Sequence, residues 1–139
     1  MKLSTRGRYG LRAMLELAEA FDRGPIFMGD IAKRQGISRK YLHALLTELK
    51  NAGLVTSVRG AHGGYVLAKK PTEITVTDVF EALEGKLAII DCVVDEEACS
   101  RLDGCQTRKL WKDVNSAMAN VLDSATLADL ASGENNELL

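Results

Sequence analysis

Three cysteines carry the clearest chemical signal in the sequence, because the chain has no others and they lie close together. They are Cys92, Cys99 and Cys105, separated by six and then five residues. An odd number of cysteines cannot pair completely within one chain, so a closed disulfide framework is excluded. Three thiolates that converge from a loop form the arrangement required by iron–sulfur clusters and soft metals. The three cysteines are therefore candidate ligands.

The residue types and their spacing leave two other interpretations of the cysteines open. Free cysteines are often small buried apolar residues, although acidic residues surround these. A zinc site is a further possibility, but the usual close pair C-x2–4-C and an evident fourth ligand are missing. A cluster requires only that the three sulfurs converge. The acidic neighbours are Asp91, Asp95, Glu96, Glu97 and Asp103.

Charge is distributed unevenly along the chain, although the net charge is only −1. Residues 1–70 contain 13 Lys/Arg and 5 Asp/Glu, whereas residues 71–139 contain 5 Lys/Arg and 14 Asp/Glu. A basic half is the natural face for a polyanion such as nucleic acid. We therefore expect a DNA-binding region over residues 1–70. Residues 71–139 are expected to form a sensor and dimerisation region, intertwined with the first in one structural unit.

The length of the chain, 139 residues, suffices for one compact unit with an apolar core. No apolar run is long enough to span a bilayer, and the first residues do not resemble a signal peptide. We expect a cytoplasmic protein that does not bind membranes. In that compartment cysteines stay reduced and act as ligands or redox sensors.

Periodic apolar residues predict three helices in the basic half. The first extends from an N-cap at Ser4 to about residue 22, and the second covers about 29–35 and ends at Gly36 in the left-handed conformation. The third begins after Ser38 and ends near residue 51. Two helices joined by a short turn with glycine form the helix-turn-helix pattern, in which the second helix inserts its N-terminal end into the major groove. The predicted core stripes are Met14, Leu17, Ala18 and Phe21, then Ile31 and Ala32, then Leu42, Leu45, Leu46 and Leu49.

A glycine-rich hairpin follows the third helix directly. Residues 54–58 and 65–67 are predicted strands, and Gly63 and Gly64 between them permit close backbone approach. Behind a helix-turn-helix this hairpin is a wing, and Arg59 at its tip suits the narrow minor groove. The glycines do not form a phosphate-binding enzyme loop, because neither the P-loop nor the dinucleotide fingerprint is present. We therefore predict a mainly α fold with a small β-wing. We also predict that the protein is not an enzyme.

The candidate DNA-binding residues fall into groups with different expected partners. Five cations are candidates for phosphate contacts, which give salt-dependent affinity but little sequence reading: Arg6, Arg8, Arg39, Lys40 and Lys50. Residues at the start of the third helix are expected to read bases, and His43 could read a base edge. The complete set is Arg6, Arg8, Ser38, Arg39, Lys40, Tyr41, His43, Lys50, Arg59, Gly60 and His62.

Two further helices are predicted around the cysteine loop. Thr75 caps the first, which carries Val76, Val79, Phe80 and Leu83 on one face. The second covers about 107–122, and its broad apolar stripe predicts packing against a second copy of the chain. Folding back on the chain's own core is the alternative, and residues 132–139 are predicted to be a frayed end. The stripe consists of Leu110, Trp111, Val114, Ala117, Met118, Val121 and Leu122.

The combination of motifs resembles the IscR/NsrR-type regulators over residues 1 to about 130. The resemblance implies homodimeric winged-helix transcription factors in which the state of an iron–sulfur cluster controls binding to palindromic double-stranded DNA. It also implies that Cys92, Cys99 and Cys105 are the cluster ligands and that Arg59 contacts the minor groove. The residues that carry it are 3–9, 31–42, 53–55 and 57–65, followed by the three cysteines and Leu110-Trp111.

Neither of the fourth ligands known in that family is present here. Arg108 stands where the IscR branch has a histidine three residues after the last cysteine. Arg8 and Arg12 stand where NsrR-like members can supply an acidic residue from the partner's first helix. The first gap between cysteines is also one residue longer than in the IscR pattern. The cluster type, 2Fe–2S or 4Fe–4S, therefore stays open.

Two alternative functions remain at this stage. The first is a thiol-based redox-responsive regulator without a cluster, in which the cysteines are oxidised directly. The second is a small redox enzyme or metal carrier, which lacks the nucleophile–base pair or C-x-x-C motif that it would need.

Overall fold

The computed structural model describes residues 3–95, 97 and 104–133 of the chain. Over these residues the fold is mainly α with one antiparallel two-stranded sheet, as the sequence predicts. Short 3-10 turns lie at Phe21–Arg23, Pro71–Glu73 and Asp91–Val93. The main elements are α1 (Thr5–Glu19), α2 (Met28–Gln35), α3 (Arg39–Asn51), β1 (Val55–Val58), β2 (Gly64–Leu67), α4 (Val76–Glu84), α5 (Gln106–Ser124) and α6 (Leu127–Ser132).

Side-chain caps fix the starts of three helices at the predicted residues. The Ser4 hydroxyl accepts a hydrogen bond from the Gly7 N–H, and the Ser38 hydroxyl accepts one from the Tyr41 N–H. Thr75 forms a reciprocal capping box with the residue three positions later in α4. Such caps satisfy N–H groups that have no partner within the helix. Gly36 ends α2 in the left-handed region, with φ 66° and ψ 34°.

The predicted apolar stripes form the core, with one exception. The stripe residues of α2, α3 and α4 and the first three of α1 are all buried. Phe21 is 38% exposed, so its predicted burial is wrong. The reason is that α1 ends at Glu19 and Phe21 lies in the following 3-10 turn, where α-helical spacing no longer applies. Helix α1 packs closely on α4. The absence of a side chain at Gly10 permits this approach, since a Cβ atom there would collide with the Leu83 side chain.

The wing is attached to the helices by backbone pairing. Strands β1 and β2 pair from Val55 with Leu67 to Val58 with Gly64. On the other side of β2, Ile26 exchanges two hydrogen bonds with Tyr65, with N–O distances of 3.0 and 2.9 Å. A Cβ atom at Gly64 would collide with the Ile26 carbonyl, which confirms the predicted close backbone approach.

The chain returns to its core after α5. The Val76 N–H donates to the Ala125 carbonyl and the Leu127 N–H donates to the Ile74 carbonyl, both at 2.9 Å. Leu127 is completely buried and belongs to the main apolar core, which includes residues of α1, α2, α3 and α4. Helix α6 was not predicted, because six residues are too few to show helical periodicity. The core therefore joins residues from both sides of position 70, and the division there stays a prediction.

Candidate nucleic-acid interface and cysteine site

Helix α3 separates an apolar face from a polar one. Its four leucines are completely buried, whereas Arg39, Lys40 and His43 are exposed near its N-terminal end. Ser38 is also exposed and its hydroxyl caps the helix. Tyr41, which belongs to the same predicted set, is half-buried and packs edge-on against the Tyr9 ring, with 6.3 Å between the ring centroids. Helix α3 therefore has the polar and cationic face at its N-terminal end that the sequence predicts.

The predicted phosphate-binding cations of α1 and α3 lie in different surroundings. Arg6 is paired with Glu48 of α3, whereas Arg8 is exposed. The Lys50 ammonium donates to the Ser57 hydroxyl at 2.8 Å, which places it beside the wing. Exposed ion pairs contribute only about 0–1 kcal/mol. A DNA phosphate can therefore compete with Glu48 for Arg6.

The wing tip presents the three residues predicted from the sequence. Arg59, Gly60 and His62 are all exposed. Gly60 has a φ of 113°, a region that residues with a Cβ rarely adopt. The Gly63 N–H closes the turn by donating to the Gly60 carbonyl at 3.1 Å. Arg59 is therefore held at the tip of a narrow hairpin.

One residue of this surface was missed by the sequence prediction. Phe27 immediately precedes α2, and its ring lies 5.5 Å below the Arg39 guanidinium. It is 53% exposed although it is apolar. The residues are twelve positions apart and belong to different elements, so helical periodicity could not reveal the pair. An unexplained aromatic residue outside every apolar stripe was the only available signal.

Two of the three predicted ligands lie on elements that contact each other. Cys92 is in the Asp91–Val93 turn, and Cys105 immediately precedes α5. The Arg108 guanidinium in α5 donates twice to the Cys92 carbonyl, with distances of 3.3 Å from both Nε and Nη2. Cys99 lies outside the described residues. Over the part of the chain that is described, no three His, Cys, Asp or Glu side chains are placed to hold a metal ion.

The surroundings of Cys105 favour its thiolate form. The pKa of the Cys105 thiol is lowered, chiefly by a hydrogen bond from the Thr107 hydroxyl, whose oxygen lies 3.4 Å from the sulfur. The backbone N–H of Arg108 and its positive charge lower the pKa further. The thiolate is the form that binds metals and acts as a nucleophile. Arg108 itself has no acceptor atom, so it cannot replace the histidine ligand of the IscR pattern.

Helix α5 exposes much of its apolar stripe. Leu110 and Val121 are each 54% exposed, Trp111 is 38% exposed, and no residue of α5 is buried. Leu122 packs against the small cluster formed by α4 and Ala125. The chain's own core therefore covers only part of the stripe. Among the described residues, no helix is both long and apolar enough to cross a membrane.

Known proteins resemble this chain over nearly its whole length. CymR, an HTH-type transcriptional regulator of Bacillus subtilis, is 44% identical over 99% of this chain and 94% of its own length. The protein rrf2 of Nitratidesulfovibrio vulgaris is 47% identical over 94% of this chain and 87% of its own length. Among solved structures, the global cysteine regulator CymR of B. subtilis has a TM-score of 0.84 at 42% identity, covering 95% of this chain and 97% of its own. T. potens IscR has a TM-score of 0.81 at 41% identity, covering 100% of this chain and 92% of its own.

These similarities confirm the winged-helix regulator fold and the resemblance to IscR-type proteins. They also confirm the prediction that the chain is not an enzyme, since its relatives are transcriptional regulators. The Rrf2 family, described as iron-dependent transcriptional regulators, matches residues 3–133. The chain therefore belongs to the Rrf2 family.

Proposed function

We propose that this regulator binds promoters under the control of an iron–sulfur cluster held by Cys92, Cys99 and Cys105. The observation that carries the proposal is the double hydrogen bond from Arg108 to the Cys92 carbonyl, which joins two cysteine-bearing elements. The lowered pKa of Cys105 supports a thiolate donor at the start of α5. When bound, the cluster supplies an iron centre that responds to redox change, nitric oxide or cluster supply.

The exposed residues of the basic half divide between the two grooves of DNA. Ser38, Arg39, Lys40 and His43 begin the helix that enters the major groove, where base edges can be read. The wing reaches the minor groove with Arg59, supported by Gly60 and His62. Arg6, Arg8 and Lys50 bind phosphates, and Tyr41 belongs with the residues at the start of α3 that read bases.

A second copy of the chain covers the exposed face of α5. The exposed fractions of Leu110, Trp111 and Val121 support this assignment, because several exposed large apolar residues on one helix commonly mark a protein interface. A symmetric dimer carries two recognition helices related by a two-fold axis. Its operator is then a palindrome with half-sites in successive major grooves.

The position of α5 couples the cysteines to the DNA-binding surface. Two side chains attach α5 to the preceding segment: Arg108 binds the Cys92 carbonyl, and the Asn115 side chain accepts a hydrogen bond from the Ile89 N–H at 3.0 Å. A cluster that drew Cys92 and Cys105 together would therefore act on the position of α5 and of the copy packed on it. A typical allosteric coupling of about 1–3 kcal/mol changes operator affinity by about 5- to 150-fold.

Anaerobic purification tests the cluster directly. We expect visible absorption, bound iron and acid-labile sulfide in the wild-type protein, and their loss in Cys92→Ser, Cys99→Ser and Cys105→Ser. Lys112→Ala, an exposed change on α5, is the control and should retain the cluster. Removal of iron and sulfide should change the affinity for an operator selected by the protein from random duplexes. A protein that binds neither iron nor sulfide after anaerobic reconstitution contradicts the proposal.

The second candidate is a regulator whose cysteines are oxidised directly, and the surroundings of Cys105 favour it. Cys105 is partly exposed, and its pKa is lowered by Thr107 and Arg108. A partly exposed thiolate reacts readily with oxidants. In this case peroxide changes DNA affinity in iron-free protein, and Cys105→Ser removes the response. If iron-free protein does not respond to peroxide, this candidate fails.

A further inference from the structure

Phe27 occupies a fixed position between the wing and the recognition helix. The preceding residue, Ile26, is paired to Tyr65 of β2 by two backbone hydrogen bonds, and Phe27 itself is the N-cap position of α2. The ring is nevertheless 53% exposed. Exposure of a large apolar side chain beside a DNA-binding surface requires an explanation other than core packing.

The ring of Phe27 meets Arg39 over the backbone of Gly29. The guanidinium carbon of Arg39 lies 5.5 Å from the centre of the ring. A Cβ atom at Gly29 would lie 2.5 Å from the Phe27 ring and 2.8 Å from an Arg39 nitrogen. Glycine is unfavourable within a helix relative to alanine. Its presence in α2 therefore leaves the room that this pair of side chains occupies.

Holding the guanidinium matters because arginine is flexible and reads guanine with two parallel hydrogen bonds. A free arginine side chain loses much rotamer freedom when it forms such a pair, and restraint before binding reduces that loss. The pairing of Ile26 with Tyr65 also fixes the ring relative to the wing. Arg39 is thereby held at a set distance from the wing strands.

We propose that Phe27 is a positioning residue for base recognition, which holds Arg39 over Gly29 so that Arg39 selects a guanine in the major groove. The inference deepens the proposed function and rests on it, since α3 must enter the major groove. Removal of the ring is expected to weaken binding by about two- to five-fold for each recognition helix, the usual strength of an exposed cation–π pair. Removal of Arg39 is expected to weaken it by about 5- to 150-fold, the cost of losing a bidentate guanine contact.

The test uses the full chain and DNA duplexes that it selects from a random library. Phe27→Leu removes the ring but keeps an apolar side chain, Phe27→Tyr keeps the ring, and Gly29→Ala pushes the ring and guanidinium apart. Each is also made in an Arg39→Ala background. Phe21→Leu is the matched control, because Phe21 is likewise an exposed phenylalanine, in the 3-10 turn after α1. Thermal melting followed by circular dichroism checks that every variant folds.

The expected result is that Phe27→Leu and Gly29→Ala weaken binding and reduce the preference for guanine at one position. Phe27→Tyr and Phe21→Leu should match the wild type, and the salt dependence of binding should not change. In the Arg39→Ala background Phe27→Leu should have no further effect. If it retains its full effect there, the ring contacts DNA directly and the inference is wrong. It is also wrong if guanine preference survives Phe27→Leu.

The controls separate this inference from the proposed function. If Arg39→Ala binds the selected duplex as the wild type does, the assignment of Arg39 as a reading residue fails and the inference falls with it. If Arg39→Ala weakens binding but Phe27→Leu does not, the proposed function stands and only the inference is overturned. All variants are compared as iron-free protein, so these differences between variants do not depend on whether the cluster proposal is correct.

Discussion

Arginines on the basic half have the same charge but differ in what holds them. Arg6 is paired with a glutamate, Arg12 and Arg39 lie over aromatic rings, and Arg59 is exposed at the wing tip. A paired or stacked guanidinium is restricted in conformation before DNA binds, whereas an exposed one becomes restricted only on binding. We therefore expect these residues to contribute differently to DNA affinity and to sequence selectivity.

Arg59→Ala should weaken binding to a selected operator by about 10- to 150-fold, because a hydrogen bond to a charged group contributes about 1.5–3 kcal/mol. The reason is loss of the guanidinium from the minor groove. Affinity is measured by fluorescence anisotropy at fixed salt. Lys86→Ala removes an exposed cation from the segment after α4 and should have little effect. Unchanged affinity in Arg59→Ala contradicts the assignment of the wing.

Cys105 should become reactive at a lower pH in the folded protein than in the unfolded chain. Its pKa is lowered in the fold, chiefly by the hydrogen bond from Thr107, so the thiolate is present below the ordinary thiol range and is lost as the pH falls through the folded pKa. The test is alkylation rate against pH in metal-free Cys92→Ser/Cys99→Ser protein. Thr107→Val should shift the midpoint upward, and urea should abolish the difference. Equal midpoints in folded and unfolded protein contradict the prediction.

At the scale of elements, local signals account for most of the fold. Caps at Ser4, Ser38 and Thr75 and the leucines of α3 predict their helices, because each signal acts within one or two turns. Phe21 was misplaced because nothing local marks the change from α1 to a 3-10 turn. Contacts between distant elements, such as Phe27 with Arg39, depend on the tertiary fold and have no periodic signature.

The site was predictable to a smaller degree than the fold. Residue type indicates the three cysteines as candidate ligands and the cations of α3 and the wing as candidate DNA contacts. The partner of Arg6 and the link from Arg108 to Cys92 could not be predicted, because they depend on how α3 packs and where the Asp91–Val93 turn lies. A loop without periodicity contains no sequence signal for such contacts.

The wing should be sensitive to added side-chain volume at Gly64. This residue has a φ of 152°, and a Cβ atom there would collide with the Ile26 backbone. Gly64→Ala should therefore lower the free energy of unfolding by about 1–3 kcal/mol, the range for a strained backbone position. Gly60→Ala is the control, because its φ is also positive but a Cβ atom meets open space. Urea denaturation measures both, and equal losses would show that the contact with Ile26 is unimportant.

At the scale of the whole molecule, the apolar face of α5 should control oligomeric state. Trp111→Glu places a charge on that face and should shift the protein from dimer to monomer. Light scattering over a range of concentrations measures the change. Lys112→Glu, at an exposed position of the same helix, introduces the same side chain and should remain dimeric. A dimeric Trp111→Glu protein contradicts the assignment of this face.

Helix α5 is attached to the core at one end and carries a cysteine at the other. Hydrogen bonds from Val76 and Leu127 anchor its C-terminal end, whereas Cys105 lies at the opposite end. Nineteen helical residues extend about 28 Å. Tilting such a rod by about 10° at its anchor displaces the far end by about 5 Å, since displacement scales with length. A displacement of the Cys105 end would therefore reach the core as a small rotation of α5 about Ala125.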